Sequence, residues 1–211
     1  MTTPEPEPFS RFSDRPLAGE DPAVAFVMER RWLPGPDGAL TGRIAYTNVA
    51  HHVVDLSSRG FDWGSPGPGS HDLALNILET ALRRLGHRGP RSTRPEGTCF
   101  TLALLLRGRF AAAFLAGLPE EGGTIPASEV ERWIAAEVST LDPARWALLA
   151  PRYAWEGGGD GEHWSAGELQ EIVGEPLQER AGGLYTAGGR CIARVLEPHP
   201  LDGADWETVP L

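Results

Sequence analysis

Residues Gly60 to Glu79 read G-F-D-W-G-S-P-G-P-G-S-H-D-L-A-L-N-I-L-E, and no other stretch restricts the fold as tightly. An aromatic-acidic-aromatic triplet, Phe61-Asp62-Trp63, enters a turn of glycine, proline and serine that cannot continue a helix or a ladder. From His71 the pattern changes. Ala74, Ile77, Leu78, Ala81, Leu82 and Leu85 recur at three- and four-residue spacing, which predicts a helix from His71 to about Leu85 with one apolar stripe. Ser70 suits the N-cap, Asp72 complements the positive helix end, and Gly86 suits the C-terminal stop. The same helical geometry puts Asp72, Asn76, Glu79 and Arg83 on the opposite, solvent-facing side. Phe61 and Trp63 share one side of an extended segment and are expected to pack their rings on the helix.

Around this pivot the chain reads as α+β: a small antiparallel sheet packed with about three helices, followed by a C-terminal αββ appendage. Residues 1–21, with prolines at 4, 6, 8 and 16, form a disordered or draped arm. Ala23–Leu33 and Gly42–Val49 predict a hairpin about the P-G-P-D-G turn at 34–38, and His51–Leu56 a short strand-like piece. An arginine- and proline-rich loop (87–97) precedes a second helix, about Thr98 to Arg107. Phe110–Leu118 is compatible with helix or buried strand. A third helix, about Pro126 to Ser139, carries Ser128 and Glu131 in capping-box spacing and buries Val130, Trp133, Ile134 and Val138. The main domain therefore spans 22–155, a glycine-rich hinge occupies 156–162, and 163–211 forms the small module. In that module Ser165 and Glu168 cap a helix through Val173, followed by strands at Pro176–Arg180 and Arg190–Leu196.

The 211-residue chain carries a net charge of −10, and all 19 of its basic residues are arginine. Without lysine, Schiff-base chemistry and a phosphate-loop lysine are excluded. The acidic balance disfavours general nucleic-acid binding, which needs basic groups that release counterions. The two cysteines, Cys99 and Cys191, are too far apart for CxxC spacing, which argues against a disulfide scaffold or structural zinc. No apolar run reaches the roughly 20 residues that span a bilayer. The N-terminus is acidic and proline-rich where a secretory signal would be basic, so a cytoplasmic location is expected.

No G-x-S-x-G elbow or nucleotide loop is present, and no catalytic, cofactor or metal residue is assigned. The expected function is non-enzymatic: binding of another protein through the exposed helix face and its preceding turn, comprising Asp62, Trp63, His71, Asp72, Asn76, Glu79 and Arg83. A small metal-dependent hydrolase or nuclease around His51, His52 and His71 is the alternative, though adjacent histidines on a strand point to opposite faces. A second alternative is nucleic-acid binding through the arginines at 83, 84, 88, 91 and 94.

The segment G-F-D-W-G-S-P-G-P-G-S-H-D-L-A-L-N-I-L resembles the signature of the domain of unknown function 6166 family. Arg109–Ala135 is similar to that family's second half, so the resemblance covers about 43–137. It implies a strand followed by an acid-capped helix in that second half. L-Q-E-I-V-G-E-P-L-Q (169–178) and the following strand, within about 165–198, resemble the domain of unknown function 3846 family. Both resemblances imply an accessory protein of bacteriophages, plasmids or related mobile elements, acting on host or element machinery. Neither implies a reaction.

Overall fold

The computed structural model describes residues 21–34, 40–57, 60–142, 149–155, 157, 163–180, 182–196, 199 and 202. The arm before Asp21, most of the 34–38 turn and the 156–162 hinge apart from Gly157 lie outside these residues. The fold is mixed α+β and forms two compact units. The first contains the chain up to Leu85 with 93–99 and 103–139; the second contains 86–92, 100–102 and the chain from Thr140.

In the first unit β1 (Ala25–Pro34) pairs antiparallel with β2 (Leu40–Thr47), from Met28 opposite Thr47 to Pro34 opposite Leu40. β1 is the central strand, because β5 (Gly122–Pro126) runs antiparallel along its other edge. Phe26 and Met28 point into the core, while Glu29 and Arg31 form an ion pair on the other face with Arg31 over the Tyr46 ring. β5 was invisible in sequence because its first residues are glycines, which read as turn. Gly122 is required there: its φ is +116°, and a Cβ would stand 2.0 Å from the Met28 carbonyl oxygen. Where β2 ends, the buried Asn48 side chain takes over the ladder. Its Oδ1 accepts the Val27 N–H at 2.8 Å and its Nδ2 donates to the Ala25 carbonyl at 2.8 Å.

The pivotal helix α1 (Pro68–Arg84) starts earlier than expected. Gly67 is the N-cap and Pro68 takes the first turn, where its missing N–H costs nothing. Ser70 lies inside the helix, and its hydroxyl donates to the Ser65 carbonyl. Asp72 is accordingly beyond the first turn. The stop is as read, with Gly86 left-handed at φ 72°. Leu73, Ala74, Leu75, Ile77, Leu78, Ala81 and Leu82 are all buried, whereas Leu85 is exposed. Gly69 holds Gly60–Asp62 close, since a Cβ there would meet the Gly60 carbonyl oxygen and the Asp62 Cβ at 2.8 Å.

Between 87 and 101 the expected loop folds into a hairpin, β3 (Arg91–Thr93) and β4 (Thr98–Phe100). The second helix therefore begins later and runs further than predicted, as α2 (Thr101–Phe110) continued by a π-helical turn at Ala111–Leu115. The stretch at 110–118 is thus helical through Leu115. Its alanines satisfy helix propensity, and the wide turn closes with the Ala116 N–H donating to the Ala111 carbonyl. Phe110 and Phe114 stack at 4.7 Å and both meet the edge of Trp133 on α3 (Ala127–Ser139). Ser128 is already inside α3 and Glu131 pairs with Arg84, so their capping box does not form. Val130 and Ile134 are fully buried; Trp133 and Val138 are half-buried.

In the second unit four strands lie side by side, β6 (Tyr153–Trp155), β9 (Cys191–Val195), β8 (Gly183–Tyr185) and β7 (Gln178–Arg180), all antiparallel. β6 pairs with β9, so this sheet draws on residues from both sides of the 156–162 stretch. α4 (Ala166–Val173) buries Leu169 against Tyr153, Leu184, Ile192 and Ala193. Its capping box is formed as read: the Ser165 hydroxyl accepts the Glu168 N–H, and the Glu168 carboxylate accepts the Ser165 N–H. The Ser165 N–H first, then the Ser165 hydroxyl and Arg152 beside it, hold the Glu168 carboxyl below the usual range. β7 (Gln178–Arg180) and β9 correspond to the two expected strands. The intervening A-G-G-L-Y-T-A-G-G, read as a connection, contributes a third, β8 (Gly183–Tyr185).

Gly122→Ala is expected to lower stability by at least about 2 kcal/mol, combining a disfavoured φ with a backbone clash. Gly117→Ala, where a Cβ meets nothing within 4 Å, serves as the control and should be near neutral. Urea denaturation of both variants measures the difference.

Candidate functional site

The polar side of α1 is not a surface. Asp72, Asn76 and Glu79 are 1%, 0% and 0% exposed, which corrects the expectation of a solvent-facing stripe. The segment 51–57 lies across Asp72 and Asn76. The Asn76 Oδ1 accepts the N–H groups of His52 (2.7 Å) and Val53 (3.0 Å), and its Nδ2 donates to the Val53 carbonyl at 2.8 Å. One turn earlier the Asp72 carboxylate accepts three more backbone donors: Asp55 at 3.3 Å, Leu56 at 3.1 Å and Ser57 at 2.8 Å. Spacing of four residues puts both side chains on one helix face, where they act as a substitute strand for a segment with only one isolated bridge, Val54 to Glu96. Glu79 continues the row and accepts from Arg83 at 2.8 Å, with Arg83 itself 47% exposed.

A further ionic group fastens this segment. The Asp55 carboxylate, 7% exposed, receives Arg107 from α2 on one oxygen and Arg94 from the hairpin at 3.5 Å on the other. The hairpin tip closes in at Gly97, where a Cβ would stand 2.3 Å from the His52 carbonyl oxygen. On the sheet side, Arg30 of β1 is 8% exposed and reaches across three pieces of chain. It pairs with Asp62, donates to the Trp63 carbonyl (2.9 Å) and the Glu120 carbonyl (2.9 Å), and lies 4.5 Å from the Trp63 ring centroid. A planar fork with several donors can do all of this; an ammonium cannot.

Of the expected contact residues, Asp62 (52% exposed) and Arg83 remain accessible and His71 is half-buried. Trp63 is buried, and its Nε1–H donates to the Pro119 carbonyl at 3.1 Å. Phe61 turns instead to His51, edge to face at 4.9 Å. His52 is exposed and His71 lies beside Gly108. Among the described residues, no group of three or more His, Cys, Asp and Glu side chains is arranged to hold a metal ion. The arginines at 83–94 do not form one basic stripe: Arg83 binds Glu79, Arg84 binds Glu131 and the Pro22 carbonyl, Arg91 covers the Phe100 ring, and Arg94 binds Asp55. Arg88 is exposed.

Arg30, Asn48 and Arg107 were not singled out from sequence. A usable signal existed for Asn76: an amide inside L-A-L-N-I-L breaks an apolar run, and a buried amide must find partners. Comparison of the chain with protein-family models, with curated proteins and with solved structures gives no match. No described helix is long and apolar enough to cross a membrane.

Asp72→Ala strands three part-buried amide donors and is expected to cost about 2 kcal/mol, against the few tenths typical of an exposed position. Hydrogen exchange should show the amides of 55–57 losing protection first. Acid is a second probe. Burial lowers the pKa of His51, partly offset by Asp72 and Glu96, and likewise that of His199 in the second unit, whose Nε2 lies 3.1 Å from the Ala150 carbonyl. Both favour the neutral ring, so their contribution is complete above the ordinary histidine value of about 6.5 and is lost as pH falls through the lowered values. Melting temperature should therefore drop between about pH 7 and pH 5, and His51→Phe should blunt the drop.

Proposed function

We propose that the protein is a non-enzymatic accessory protein that works by binding another protein. The observation that carries this reading is how the chemically capable residues are spent. Asp72 and Asn76 are sealed under the 51–57 segment and bonded to it, and the buried Glu79 is bonded to Arg83, so none of the three presents an acidic site. The contact surface consequently moves from the polar side of α1 to its C-terminal end. There Leu85 is 50% exposed and Val24 72% exposed, while Arg84 donates to the Pro22 carbonyl and so ties the 21–24 turn to the end of the helix. Two exposed large apolar side chains, each within two residues of the Arg84–Pro22 bond, suit a protein partner, where an apolar centre within a polar rim provides most of the affinity.

The resemblance of 43–137 to the domain of unknown function 6166 family supports an action on host or mobile-element machinery for defence, transcription or replication, and the acidic, proline-rich N-terminus supports a cytoplasmic location. Phage or plasmid origin belongs to the same proposal.

The test is affinity capture from the native host with quantitative mass spectrometry, comparing the wild type with Val24→Glu/Leu85→Glu and with Asp62→Asn. One partner at near-equal abundance, lost in the double variant and kept in Asp62→Asn, is the expected result. Equal recovery in all three removes this surface. No stoichiometric partner in any of them removes the reading.

A further inference from the structure

We propose that Arg94 and Arg107 form a subsite for an oxyanion, a phosphate or carboxylate group, in which Asp55 occupies the place of the incoming anion. Two guanidinium groups from separate elements, the β3–β4 hairpin and α2, converge on this single carboxylate. Each guanidinium carries five N–H donors, and two of them can clamp one planar or tetrahedral oxyanion. Among the described residues each of these side chains makes one polar contact, to Asp55, and the one from Arg94 is long at 3.5 Å. The Arg94 Nε is buried and has no acceptor among the described residues. A buried donor of this kind is uncommon and calls for a partner.

The neighbouring charges are consistent with an exchangeable anion. The Asp72 carboxylate, which also contacts the Asp55 segment, is held by the N–H groups of 55–57. Glu96 is exposed at the hairpin tip and opposes anion binding. Arg94 and Arg107 are 27% and 20% exposed, so their outer donors are reachable from solvent, and Leu56 beside them is 49% exposed. A structural ion pair would need one guanidinium for Asp55. The second is what an external oxyanion would use, either bridging both arginines or displacing the Asp55 side chain.

The directional consequence separates this from a purely structural network. Removing the Asp55 charge while keeping its shape should tighten anion binding, whereas a structural role makes Asp55→Asn merely destabilising. Inorganic phosphate and acetate are titrated in parallel into wild type, Asp55→Asn, Arg94→Gln, Arg107→Gln and the exposed control Arg132→Gln, by calorimetry at constant ionic strength. Saturable binding that tightens about tenfold in Asp55→Asn, is lost in Arg94→Gln and Arg107→Gln, and is unchanged in Arg132→Gln is the expected result. The ratio of phosphate to acetate affinity then identifies which oxyanion the site prefers. Should Asp55→Asn fail to fold by circular dichroism, loss in both arginine variants with retention in Arg132→Gln carries the proposal alone. Equal binding by all variants, or binding of neither anion, overturns it.

Discussion

The first unit depends on a helix whose polar side replaces a missing strand. Burying α1 on its apolar stripe alone would leave the backbone of 52–57 without a ladder. Each unmet buried N–H there would cost on the order of 1–3 kcal/mol. Asp72 and Asn76, one turn apart, present acceptors along the helix axis and satisfy five backbone N–H groups of that segment. Asn48 does the same on a smaller scale at the end of β2. The recurring device is a short polar side chain doing what an adjacent strand would otherwise do.

That device explains what could and could not be read in the chain. The α1 stripe, the β1–β2 pairing, the Ser165–Glu168 cap and the Gly86 stop follow from local periodicity and local bonding, and each is found. The burial of Asp72 and Asn76 depends on a segment some 15 to 24 residues away, and periodicity assigns polar residues to solvent by default. β5 and β8 were missed for a related reason. Their glycines carry no strand propensity, and the strands exist because a neighbouring backbone comes too close for any side chain, as at Gly122 and Gly183. Ser70 and Ser128 matched cap spacing, but proline 68 and the β5–α3 junction moved the helix starts.

The functional reading follows the same division. Residue types in His51, His52, Asp55, His71 and Asp72 evoke chemistry when read along the sequence. In the fold they separate into an aromatic contact, an exposed ring, an arginine-clamped carboxylate, a half-buried ring beside Gly108 and a backbone acceptor.

Arg30 bears on how the first unit assembles in time. Its guanidinium joins residues 32 and 33 positions away in the Asp62–Trp63 segment to a carbonyl 90 positions away, so one side chain closes two long loops at once. Closing such loops before neighbouring structure exists is entropically unfavourable, and topologies rich in distant pairings fold slowly. The Arg30 junction therefore belongs to the late side of the folding barrier. Its strength governs how long the native state persists once formed and has little influence on how quickly the chain reaches it.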